Sequence, residues 1–218
     1  MLYIESMINE RPFDVKSPDP HTTLTQEQLE RFLLFAVAVA GKRATMIEKA
    51  LDKFLAMDKG GTPFGRVRHM VGNGTLRINL QRAHLGRYDV LTKSYKQIVT
   101  SGINLRMCTL EDLRKFHGVG PKTSRFFLLH SRLNLRMAVL DTHILKYLQK
   151  IHPERVIPKS TPTSPKQYDE LERLWLAACD LMCLSSVEAD SMVWKYYANA
   201  VENQRTTEEE RTDDSGIQ

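Results

Sequence analysis

Three cysteines in 218 residues leave little room for what clustered cysteines do. Cys108, Cys179 and Cys183 are an odd set without zinc-finger spacing, and a four-thiolate iron–sulfur cluster needs one more. A disulfide framework and an iron–sulfur cluster are therefore excluded, and no metal site is expected. Cys179 and Cys183 stand at i and i+4 in an apolar helical pattern, where buried thiols are common. Long apolar runs are also missing. The longest, Phe32 to Ala40, is far too short to span a bilayer, so no membrane partner is expected. No charged segment followed by an apolar one opens the sequence, which points to an intracellular protein of cytoplasm or nucleoid. Glycine (11) and proline (9) stay near ordinary usage, against a collagen-like or low-complexity chain. Alternating β patterns are almost absent, so the expected fold is all-α.

What is present is enough for a core: 42% of residues are hydrophobic and 26% charged. The length suits one or two domains. The net charge is +5, unevenly spread. From Arg205 onward two arginines face five acids, net −3, which leaves +8 on the remainder. A basic body with an acidic tail suits a polyanionic partner such as nucleic acid. A solvated lysine-rich surface is the plainer reading of the same charge.

Residues 1–22 hold Pro12, Pro18 and Pro20 without a clear period and read as an irregular N-terminal arm. Thr25 with Gln28 forms a capping box. It opens a helix carrying Leu29, Phe32, Leu33, Ala36, Val37 and Ala40 at the 3.6-residue period, closed by Gly41. A second helix carries Met46, Ile47, Ala50, Leu51, Phe54 and Leu55. The basic, glycine-punctuated stretch Gly60 to Gly86 predicts short helices and loops, and Tyr88 to Thr100 another helix. Thr109 caps a short helix, Leu110 to Phe116. His117-Gly-Val-Gly-Pro121 breaks it, and Lys122 to Arg132 resumes. Asp141 N-caps a helix with Ile144, Leu145 and Leu148. A proline-rich linker ends at Ser164, whose following Pro165 suits a first helical position. Ser185 with Glu188 boxes a final helix through Trp194 and Tyr197. The main domain is thus 23–202, and 203–218 is an acidic tail expected to be disordered.

The most specific feature is Phe116-His-Gly-Val-Gly-Pro-Lys122, a Gly-x-Gly hairpin between two short helices. Glycines allow a tight turn and close backbone approach. The second helix offers open N–H groups and a positive dipole end, which suit a phosphate. By itself this is also an ordinary αα-hairpin. Then comes Val139-Leu-Asp-Thr-His-Ile144, a carboxylate at a helix start 19 residues after Lys122. A lysine beginning one helix and an aspartate capping the next can face one cleft.

At these residues the sequence resembles the helix-hairpin-helix/Gly-Pro-Asp DNA glycosylases, the superfamily of endonuclease III and the 8-oxoguanine DNA glycosylases, over roughly Leu24 to Tyr197. Leu140-Asp-Thr-His-Ile-Leu145, Ile157-Pro-Lys159, Glu188-x-Asp190 and Trp194 look most like the small archaeal-type 8-oxoguanine enzymes. The segment Leu133 to Ala138 departs from the pattern in having neither Gly nor Pro, and the acidic tail departs from the short ending of those enzymes. The resemblance implies a two-lobed helical glycosylase fold without an iron–sulfur cluster or other cofactor, acting as a monomer on double-stranded DNA with a damaged or modified base. It implies Lys122 as a nucleophile forming a Schiff base, with Asp141 as its carboxylate. His117, Gly118, Val119, Gly120 and Thr123 would hold DNA. Lys42 or Arg43 would fill the gap left by an everted nucleotide, and Trp194 and Tyr197 would line the base pocket. The activity implied is base-excision repair of an 8-oxoguanine-like lesion with abasic-site lyase action. Phage-type thymine hypermodification on the same scaffold, and non-catalytic DNA binding through the hairpin, are the alternatives.

Each residue also has a plainer reading. Asp141 serves as an N-cap, worth about 1 kcal/mol. Lys122 and the Lys42–Arg43 loop read as basic surface, and Trp194 and Tyr197 as core aromatics. His143 reads as a helix-start histidine bonding locally, and His130 as an ordinary helix residue.

Overall fold

The computed structural model describes residues 24–132 and 135–197, and every regular element among them is helical. The arm 1–22 and the tail 203–218 lie outside the described residues. Two compact units divide the chain, one ending at Leu135 and the other running from Arg136.

The first unit contains α1 (Gln26–Ala38), α2 (Ala44–Leu55), α3 (Pro63–Gly72), α4 (Leu76–Arg82), α5 (Tyr88–Thr100), α6 (Leu110–Arg114) and α7 (Pro121–Ser131). The capping box that opens α1 is present: Gln28 N–H donates to Thr25 Oγ1 at 3.2 Å, and Thr25 N–H to Gln28 Oε1 at 2.8 Å. From Phe32 to Ala38 every residue of α1 is buried, because α2, α3, α5 and α7 all pack against it. A helix that is apolar all round must sit inside. Each fully covered Leu or Phe contributes about 1.5–3 kcal/mol. In α2 the buried stripe is Ile47, Leu51, Phe54 and Leu55, while Met46 falls off it and is 64% exposed. The glycine-punctuated stretch supplies α3 and α4, both packed on α5.

Two charged side chains of this unit are buried among the described residues, Arg125 on α7 and Glu30 on α1. Glu30 is 6% exposed, and its Oε2 accepts the N–H of Phe64 at 2.9 Å. Thr62 Oγ1 accepts Gly65 N–H at 3.2 Å in the same first turn of α3. A carboxylate at a helix N-terminus satisfies an open donor and complements the dipole. Tyr95 is likewise buried, and its hydroxyl donates to Leu34 O at 2.8 Å.

The second unit contains α8 (Thr142–Ile151), α9 (Pro165–Leu181) and α10, helical over 186–197 as far as described. Leu145, Leu148, Tyr168, Trp175 and Val193 are central to its core. α9 starts at Pro165 as expected, and the Ser185–Glu188 box forms, with Ser185 N–H donating to Glu188 Oε2 at 2.8 Å. The expectation for the two neighbouring cysteines is corrected. Cys179 is buried, but Cys183 lies past the end of α9, exposed and left-handed at φ +54°. The chain must turn there, and burial stops with the helix. Burial pushes the Cys179 thiol up to about 11. Among the described residues no helix is long and apolar enough to cross a membrane.

Glu30→Ala leaves the Phe64 N–H buried without its acceptor and should lower stability by about 1–3 kcal/mol in denaturant titration. Glu30→Gln keeps an acceptor oxygen and should recover most of that loss.

Candidate nucleic-acid interface

Thr109 and Asp112 form a capping box at the start of α6, with Asp112 N–H donating to Thr109 Oγ1 at 3.2 Å. Hydrogen bonds from Lys115, and then from Thr109, hold the Asp112 carboxyl down to about 2. The helix stops at Arg114, two residues before the expected Phe116. A tight turn follows, in which Val119 N–H reaches Phe116 O at 3.1 Å. Phe116 and Val119 point inward as anchors.

Gly118 sits at φ +76°, a left-handed conformation that favours glycine. A side chain could not be added in any case, since a Cβ there would stand 2.7 Å from Val90 Cγ1 on α5. One residue earlier, His117 N–H donates to Gln97 Oε1 at 2.7 Å, also on α5. The turn is therefore seated on α5 at two points, one and a half to two helical turns apart. α7 then begins with Pro121, which lacks an N–H and suits that position. The N–H groups of Gly118, Gly120 and Lys122 have no acceptor among the described residues. Together with the positive end of α7 they form a turn able to take an anion.

The side chains around this turn differ in what they can offer. Val119 and Thr123 are buried, so only their backbone can meet a ligand, while His117 is exposed. Lys122 is half-buried at the second position of α7, and its amine has no hydrogen-bond or ion-pair partner among the described residues. Lys42 is held instead. Its Nζ donates to Leu85 O at 2.8 Å, crossing Gly86, where a Cβ would lie only 1.9 Å from that nitrogen. In return Arg87 Nη1 donates to Ala40 O at 3.4 Å. Two loops are thus strapped together, and His84, Gly86 and Arg87 are all left-handed there. Arg43, which N-caps α2 without a side-chain bond, remains exposed.

In the second unit Asp141 ends an extended segment pinned to α9. The Tyr168 hydroxyl accepts Leu140 N–H at 3.2 Å and donates to Ala138 O at 2.8 Å. Glu172 Oε1 accepts Ala138 N–H at 2.8 Å. Asp141 Oδ1 then accepts both His143 N–H and Ile144 N–H at 2.9 Å, so the expected N-cap is present. His143, in the first turn of α8, lies nearly parallel to the Tyr197 ring (5.7 Å, 11°) and edge-on to Trp194 (6.3 Å, 88°). Through it Trp194 and Tyr197 are gathered at the first turn of α8, the helix that Asp141 caps. The sequence reading gave His143 no chemistry, and its only signal was its place two residues after the aspartate. Burial pushes the Tyr197 hydroxyl upward, so it stays neutral. Tyr196 continues the row edge-on to Tyr197, with the Lys150 amine 5.4 Å over its ring.

The structure thus gathers the hairpin, Lys122 and Thr123 in one unit with Lys42 and Arg43, and Asp141, Trp194 and Tyr197 in the other. Comparison with protein-family models, with curated proteins and with solved structures finds no match for this chain.

Gly118→Ala should destabilise the first unit by about 1–2 kcal/mol from the backbone alone, with the Val90 clash added. In the double variant Val90→Ala/Gly118→Ala, thermal unfolding should recover the clash and not the backbone part. Tyr168→Phe strips Leu140 N–H and Ala138 O of a partner and should cost about 1–3 kcal/mol, seen as faster hydrogen exchange at Leu140.

Proposed function

We propose that this protein is an intracellular DNA glycosylase with abasic-site lyase activity, acting as a monomer on duplex DNA carrying an oxidised, 8-oxoguanine-like base. α6, the turn and α7 are read as its helix-hairpin-helix motif, and the two units as the lobes of a glycosylase fold. The observation that carries the reading is Lys122: a half-buried amine without a partner among the described residues, directly after a glycine turn with three open N–H groups.

In this reading the turn holds a DNA phosphate, which positions the strand without reading its sequence. The damaged nucleotide is everted from the stack. Lys122 Nζ, as a neutral amine, bonds to C1′ while the C1′–N glycosidic bond breaks and the base leaves with a proton. Asp141 takes the proton released by the amine, passes it to the departing base, and as a carboxylate offsets positive charge on the sugar. The ring opens to a Schiff base. Loss of a C2′ proton then breaks the C3′–O bond, nicking the strand on the 3′ side. The His143, Trp194 and Tyr197 rings supply flat apolar surface for a base.

Borohydride trapping on duplexes containing 8-oxoguanine or an abasic site tests this reading. A covalent adduct is expected from the unaltered protein, and none from Lys122→Ala. DNA binding without an adduct on every such duplex would overturn it, in favour of base modification or binding alone. Asp141→Asn retains a capping oxygen, so the helix should stay intact while turnover falls by at least about 100-fold, the usual scale for a positioned proton-transfer group. Equal losses of affinity and turnover would make Asp141 structural.

A further inference from the structure

The phosphate reading of the turn leaves α5 as more than a seat. Val90 touches Gly118, and Gln97 holds His117. Lys93 is three residues after the first and four before the second, so all three lie along one side of the helix. Lys93 is exposed, and its side chain has no ion pair or hydrogen bond among the described residues. Some cations of this unit are tied, Arg31 to Asp52, Lys115 to Asp112 and Lys42 to Leu85 O, while others, Lys53 and Lys96 among them, have no such partner among the described residues. The acid best placed for Lys93 is Asp89, four residues earlier on α5, and it is taken by Arg77. A free cation thus stands on the flank of an anion-ready turn, with its local counterion occupied elsewhere.

We propose that Lys93 completes the phosphate site of the turn, its ammonium neutralising the same DNA strand that the backbone N–H groups hold. This rests on the phosphate reading of the turn. Backbone donors give direction, and an ammonium on a long stem gives charge without fixed geometry. The division suits a site that grips any sequence. Thr123 cannot supply the charge because it is buried and neutral, and Lys122 is reserved for the sugar.

The test is binding of a short undamaged DNA duplex across a salt series, read by anisotropy, with no dependence on lyase chemistry. Neutralising one phosphate contributes about 0.9 to the slope of log affinity against log salt. Lys93→Gln should lower the slope by that amount, so its affinity deficit is about 3-fold larger at 50 mM than at 200 mM salt. Lys93→Arg should keep the slope. Lys53→Gln, an exposed lysine on α2, should leave it unchanged. An unaltered slope in Lys93→Gln, or an equal drop in Lys53→Gln, overturns the role of Lys93 while the turn's own role stands. Failure of the unaltered protein to bind DNA overturns the functional reading and this inference together.

Discussion

The contact between the bare α-carbon of Gly118 and the Val90 methyl fixes the turn on which the first unit's candidate site depends. It closes the turn against α5 and leaves room for no side chain. With His117 N–H fixed on Gln97, the turn cannot rotate, so its open N–H groups keep one direction. Donors held in place before a ligand arrives cost little reorganisation when it binds. α5 can bear this load because its other face is locked to α1 through the buried Tyr95 hydroxyl. The turn's geometry therefore traces back to α1, every residue of which from Phe32 to Ala38 is buried.

The second unit solves a related problem with polar groups. Asp141 is fixed by donating neighbours on its own helix, and its backbone approach is fixed by Tyr168 and Glu172 on α9. The capping role is compatible with the proposed catalytic one, since the cap sets the orientation that role would need. His143 extends the arrangement by turning the first turn of α8 toward two aromatic rings.

Among the described residues three non-glycine positions are left-handed, and two of them, His84 and Arg87, cluster. His84 and Arg87 take left-handed backbone that side chains ordinarily avoid, next to the Lys42 strap. Such strain persists only where surrounding contacts over-determine it. Here the contacts are mutual: Lys42 reaches the second loop, and Arg87 reaches back to the first. The wedge implied by resemblance for Lys42 would have to leave this bond, whereas Arg43 carries no such tether.

The caps at Thr25, Thr109, Asp141 and Ser185, the proline start of α9, the apolar length of α1 and the glycine turn were all legible in the sequence. Each depends on residues within four positions of one another, where propensity and hydrogen-bond reach decide the outcome. Long-range placement was not legible. Nothing local to Lys42 announces a carbonyl 43 residues away, nothing local to His143 announces Tyr197, and Cys183 kept the helical spacing after the helix had ended. The sequence by itself determined an all-helical chain with a donor-rich turn and a capped aspartate. Only tertiary packing decided which cations are tied and which rings meet, because those contacts join residues that no local pattern relates.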